Sequence, residues 1–195
     1  MKRSLLIATA VFSWACCAAS AGPFGLTKGM KVEGFPGGLE KVADSIYMAK
    51  DVPNRSDFVE TYYLVFGATQ GLAKISCNTP IKTTNAYGEE VIAEFKRIET
   101  ALTQKYGKSN QLSFLSKGSI WNEPRDWMIG LVKGERTQMT AWPLNKGEKL
   151  PDDLKLITIM AVPVNGEKAY IRISYEFDNF GAVSEEMLRK KAGGL

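Results

Sequence analysis

The chain has 195 residues, 25 lysines and arginines against 21 aspartates and glutamates, a net charge of +4, three cysteines and no histidine. The missing histidine removes the commonest general base and metal ligand, and with it the usual serine and cysteine triads. A nearly balanced charge without a basic cluster leaves no nucleic-acid footprint, and a chain of this length buries one good core, which predicts a single domain over 22–195.

Lys2 and Arg3 precede an apolar run from Leu5 to Ala19, and Ala19-Ser20-Ala21 supplies small residues after it. That is the pattern of a secretory signal peptide over 1–21. The run is too short to span a bilayer, and no later segment is long and apolar enough. A cut after Ala21 would take Lys2 and Arg3 away and leave a net charge of about +2. The expected location is therefore periplasmic or secreted. Cys16 and Cys17 stand where a lipid-accepting cysteine could, but Ser13 and Trp14 fit a lipobox poorly, so lipid anchoring is disfavoured. Cys77 then has no internal disulfide partner.

Residues 22–60 are punctuated by glycine and proline and read as partly irregular, with a short helix expected from Leu39 to Tyr47 on the spacing of Leu39, Val42, Ala43 and Ile46. The stretch 61–79 reads as a β-hairpin turned at 68–71. Ala73, Ile75 and Cys77 are expected on its core face, with Lys74 and Ser76 outside, which makes Cys77 a buried thiol. Val91, Phe95, Ile98, Leu102 and Tyr106 recur at helical spacing, with Glu89 and Glu90 at one end and Lys105 and Gly107 at the other, and predict an amphipathic helix. Trp127 to Lys133 and Thr137 to Trp142 read as paired strands. Leu154 to Val164 and Lys168 to Phe177 read as a hairpin turned by Asn165-Gly166. In its second strand Ala169, Ile171, Ile173, Tyr175 and Phe177 should face the core, and Tyr170, Arg172, Ser174 and Glu176 should face out. A closing helix is expected over Ser184 to Lys191. The fold class is α+β: an antiparallel sheet of about six strands, an amphipathic helix between strand groups, and a C-terminal helix.

The segment "SIWNEPRDW" concentrates acid, base and aromatics. Asn-Glu-Pro also occurs in a large clan of retaining glycosidases, where the glutamate is the acid/base, so Glu123 is the candidate for a carbohydrate-active hydrolase. Those enzymes are eightfold barrels of about 250 residues, whereas this chain is shorter and rich in hairpins. A binding surface is the competing reading. Trp121, Trp127 and Trp142 with Arg125 would supply the residue types enriched in interface hot spots, and Tyr170 and Arg172 would extend the surface on the last strand. The plainer reading makes the tryptophans core anchors on either side of a polar turn. No cofactor and no metal site is expected, since Cys77 and carboxylates alone make a poor ligand set.

"PFGLTKGM", "TNAYGEEVIAEFKRIETALTQKYGK", "GSIWNEPRDWMIGL", "LPDD" and "YEFDNF…KKAGGL" together resemble a family of small, uncharacterised exported bacterial proteins. The resemblance covers nearly the whole chain after 21 and implies an exported α+β domain with no assigned catalytic residue. The chain departs from that pattern at Val183, where a cysteine is usual, and the departure implies a lost partner for Cys77. "FGLTKGM" is also similar to the start of small envelope domains, the outer-membrane assembly lipoproteins and the β-lactamase-inhibitor fold. The expected function is a non-catalytic binding or interaction module of the cell envelope, an inhibitor or accessory factor. Its expected partner is an envelope protein or a glycan, with Glu123-based hydrolysis as the alternative.

Overall fold

The computed structural model of the protein describes residues 22–193. The expected signal peptide, with Cys16 and Cys17, lies outside them. In chain order the elements are β1 (Leu39–Ala43), β2 (Ile46–Ala49), β3 (Thr61–Gly67), β4 (Gly71–Asn78), β5 (Lys82–Thr83), α1 (Glu89–Tyr106), β6 (Asn110–Gln111), β7 (Phe114–Leu115), α2 (Trp127–Val132), β8 (Arg136–Thr137), β9 (Met139–Trp142), β10 (Leu154–Asn165), β11 (Lys168–Phe177) and α3 (Phe180–Ala192). Nine strands form one antiparallel sheet in the order β1-β2-β3-β4-β11-β10-β9-β6, and β5 pairs with β11 beyond the end of β4. The α+β class with an antiparallel sheet holds. The sheet is wider than the expected six strands because β1, β2 and two-residue strands add to it.

Period-two alternation builds the centre of the sheet. Asn165 stands opposite Lys168 across the β10–β11 turn, and Ala169, Ile171, Ile173, Tyr175 and Phe177 are all buried on one face. Val91, Phe95, Ile98 and Leu102 of α1 meet that face together with Tyr62, Leu64, Ile75, Cys77, Ile157 and Ile159. Each fully buried aliphatic or aromatic side chain contributes about 1.5–3 kcal/mol, so this layer carries the fold. The segment before β1 belongs to it as well. Leu26 is fully buried, and the Phe24 ring meets Tyr62 and Tyr175 edge-on at 5.0 and 5.6 Å.

Four local expectations are corrected. Leu39 to Tyr47 is not a helix but the β1–β2 hairpin, turned where Ser45 takes φ 62°. It lies at the sheet edge, where Val42 is 47% exposed, so its apolar spacing records no buried face. Trp127 to Val132 is helix α2 rather than a strand. Trp127, Met128 and Leu131 fall on one side of the turn and enter the core, and Arg136 approaches Gly130 so closely that a Cβ there would stand 3.2 Å from that of Arg136. Ala73 leaves the core face. The register slips between β3 and β4, with Val65 opposite Lys74 and Phe66 opposite Leu72, so Leu72 enters the main core and Ala73 packs with Val65 and Val183 on the other side. Finally, α3 begins at Phe180, four residues before the expected start.

Candidate functional site

The "SIWNEPRDW" segment closes on itself. Pro124 opens a single 3-10 turn over Pro124–Asp126, where its fixed φ suits the first helical position and its missing N–H costs nothing. The Glu123 amide donates to Asp126 Oδ2 at 3.3 Å, and the Asp126 amide donates back to the Glu123 carbonyl at 2.9 Å. Glu123 and Arg125 are exposed and Trp121 is half-buried, its carbonyl accepting from Arg136 Nη2 at 3.4 Å. Glu123 lines none of the three clefts described below.

The tryptophans do not make a platform. Trp127 is 8% exposed and lies against Gly88 at the N-terminus of α1. Trp142 is fully buried, and its indole N–H donates to the Gly107 carbonyl at the other end of the same helix, at 3.0 Å. Eighteen residues of helix separate those two anchor points, about 27 Å at 1.5 Å per residue. Trp127 and Trp142 are thus withdrawn from any contact surface, and Trp121 and Arg125 are left beside an ordinary turn.

Tyr170 and Arg172 fare differently. They stand on the face of the sheet opposite α1, two residues apart on β11. Arg172 Nη2 donates to the Tyr170 hydroxyl at 2.7 Å, and its Nε donates to Asn78 Oδ1 on β4 at 3.2 Å. The helix α3 crosses part of this outer face. Its seat is a small apolar cluster of Val65, Ala73 and Val183, with Ile46, Phe180 and Met187 around it. A glycine is required beneath it at 67, since a Cβ there would stand 2.6 Å from Val183 Cγ2. Polar latches hold the N-terminal end and the middle of α3. Lys28 pairs with Asp178 and Asp153 at 3.1 Å each, which raises its pKa, the hydrogen bond to Asp178 contributing most. Asn179 Nδ2 donates to the Gln70 and Leu72 carbonyls at 3.1 and 3.2 Å. Glu186 accepts from the Ala68 amide at 3.4 Å and from Lys190 at 3.0 Å. Lys190 is the main cause of the lowered pKa of Glu186.

Between α3 and the sheet lies a cleft of about 540 Å³. Its floor is formed by Tyr63, Lys74, Ser76, Arg172 and Ser174, and its wall by one flank of α3. The floor is ordered by its own contacts. The Ser76 and Ser174 hydroxyls are 3.2 Å apart, Lys74 pairs with Glu176 at 2.8 Å, and the Phe180 ring sits 4.9 Å from the Lys74 ammonium. The wall is apolar through Met187 and Leu188, and Leu188 is 64% exposed. A second, larger cleft of about 1000 Å³ lies on the far side of Phe180 and Ser184 under the 144–150 loop, but its charged lining is mixed, with Lys146, Lys149 and Lys155 against Glu148, Asp153 and Asp178. A third of about 250 Å³ lies between Lys190 and the β1–β2 turn.

Among the described residues no group of three or more His, Cys, Asp or Glu side chains is placed to hold a metal ion, and no helix is long and apolar enough to cross a membrane. Cys77 is buried, with its Sγ 3.5 Å from the Ile173 carbonyl, and burial pushes its pKa far up. Sequence reading picked Arg172 but missed Lys74, Ser76 and Ser174 as site residues. They read as a solvated outer face, and the signal that roofs them is the stripe Phe180, Val183, Met187, which starts before the expected helix. No protein-family model, curated protein or solved structure matches the chain.

Proposed function

We propose that the protein is an exported, non-catalytic binding module of the cell envelope, and that its ligand occupies the cleft between α3 and the outer sheet face. The observation that carries this reading is the cleft itself. Its volume of about 540 Å³ falls in the range of small-molecule sites, about 300–1,000 Å³. Its one strongly directional group, Arg172, is held by Asn78 and Tyr170 rather than left to sample rotamers. Fixed donors beside an apolar wall are what a binding site needs, because less freedom is lost when the ligand arrives. The N-terminal sequence pattern supports export. Relative to the tryptophan segment, the contact surface moves to α3 and β11.

The test is site-specific photo-crosslinking in intact cells. A benzophenone side chain at Leu188, on the cleft wall, is expected to yield an adduct of discrete mass on the processed, envelope-located protein. The same group at Val164, 50% exposed at the β10–β11 turn, is expected to yield none. Equal adducts at both positions, no adduct at Leu188, or a protein confined to the cytoplasm would each sink the proposal.

A further inference from the structure

We propose that the cleft takes an alkyl monocarboxylate, a fatty acid, with its chain along α3 and its carboxylate on Arg172. The inference rests on the binding-module reading above and names the chemistry of its ligand.

Charge selects the sign. Among the described residues the cleft is lined by Lys74, Arg172 and Lys191 and by no aspartate or glutamate. Lys74 is neutralised by Glu176 at 2.8 Å. Among the described residues neither Arg172 nor Lys191 forms an ion pair, so the cleft keeps uncompensated positive charge. Geometry selects the head group. A guanidinium carries five N–H donors in a planar fork. Here Nε is taken by Asn78 and one Nη2 donor by Tyr170, at 3.2 and 2.7 Å, which fixes the plane and leaves Nη1 without a protein acceptor among the described residues. A carboxylate oxygen can accept from the free Nη1 donors, and charge-assisted bonds of this kind are about twice as strong as neutral ones.

The rest of the lining argues for a chain rather than a second polar group. Ser76 and Ser174 stand with their hydroxyls 3.2 Å apart, so one donates to the other and the pair leaves a single O–H for a ligand. Among the described residues the Tyr63 and Ser184 hydroxyls of the lining are also without a hydrogen-bond partner, too few groups to match the many hydroxyls of a sugar. Ile46, Val65, Phe180, Met187 and Leu188 instead present apolar surface, and Leu188 stands 64% exposed at the rim until something covers it. Burying methylenes against that wall strengthens binding about fourfold for each one covered.

The experiment is calorimetric titration of the full processed protein with octanoate, decanoate and dodecanoate below their micelle concentrations, with dodecanol and dodecyltrimethylammonium as the neutral and cationic arms. Expected are one site per chain, affinity rising about fourfold per buried methylene, and dodecanoate bound at least tenfold tighter than either control. Arg172→Gln, checked for fold by near-ultraviolet circular dichroism, should cost dodecanoate about tenfold or more and leave dodecanol unchanged. Leu188→Asp, at an exposed position that the core does not use, should weaken dodecanoate without touching the fold. Equal binding of all three head groups, or an unchanged Arg172→Gln, would overturn the proposal. Absence of carboxylate binding with the Leu188 photo-adduct intact would overturn the fatty acid and leave the binding module standing. Absence of both removes the two readings together.

Discussion

Gly88 caps the N-terminus of α1 and the ring of Trp127 fills the space where its side chain would be: a Cβ on Gly88 would collide with Cε3 and Cζ3 of that ring. The backbone there is left-handed, at φ 73°, and the next segment is tied to it through the Met128 amide, 3.1 Å from the Ala86 carbonyl. One contact therefore joins the start of α1 to the start of α2.

Gly88→Ala should accordingly destabilise the protein by about 2–5 kcal/mol, the sum of a left-handed alanine and an overpacked ring. Urea unfolding followed by tryptophan fluorescence measures it. A loss below about 0.5 kcal/mol would mean that the ring moves aside freely.

Cys77 should be inert while the sheet is intact. It is fully buried and burial raises its thiol pKa, so the reactive thiolate is scarce and unreachable. Ellman's reagent at pH 8 should leave Cys77 unmodified over minutes in buffer and modify it promptly in urea. Fast labelling of the native protein would contradict the burial.

The seat of α3 should weaken in acid. The carboxyl of Glu186 is lowered from its ordinary value of 4.5, first by Lys190 and further by the Ala68 amide. A depressed folded pKa contributes stability above the unfolded value, and that contribution is lost as pH falls through the folded one. The Ala68 amide resonance should therefore titrate with a midpoint below 4.5, with the 180–192 resonances broadening over the same range. A midpoint at or above 4.5 would disprove the latch.

Glu123→Gln should be nearly silent. The side chain is exposed, and the turn it begins is closed by backbone and by Asp126, so the stability change should stay within about 0.5 kcal/mol. If the purified protein clears a peptidoglycan suspension and this variant does not, the hydrolase alternative replaces the binding module.

The parts of the fold that sequence revealed are those whose pattern is written by a single buried face. Ile171, Ile173 and Tyr175 alternate because only one side of β11 meets α1, and Val91, Phe95 and Ile98 recur because only one stripe of α1 meets the sheet. Where two constraints share a residue the pattern fails. Trp-Met-Ile-Gly-Leu-Val has the β-branched and aromatic content of a strand, yet it coils, with Gly130 leaving room for Arg136 against the helix. Ala73 sits one position off because a register slip is invisible in a single strand. The cleft was hidden for a related reason. Ser76 and Ser174 are ordinary outward residues until a helix distant in sequence from Ser76 is laid across them, and that crossing depends on Gly67 and Ala73 being small enough to seat Val183.

The seat of α3 has one more implication. Its buried contacts form a cluster of their own, and no α3 residue enters the large core beneath the other face of the sheet. The wall of the cleft and the stability of the domain therefore draw on different side chains. Substitutions at Ser184 and Leu188, which lie outside that cluster, can reshape what is held there while the sheet and α1 stay as they are. In this architecture ligand preference is a quantity that can drift, or be engineered, on its own.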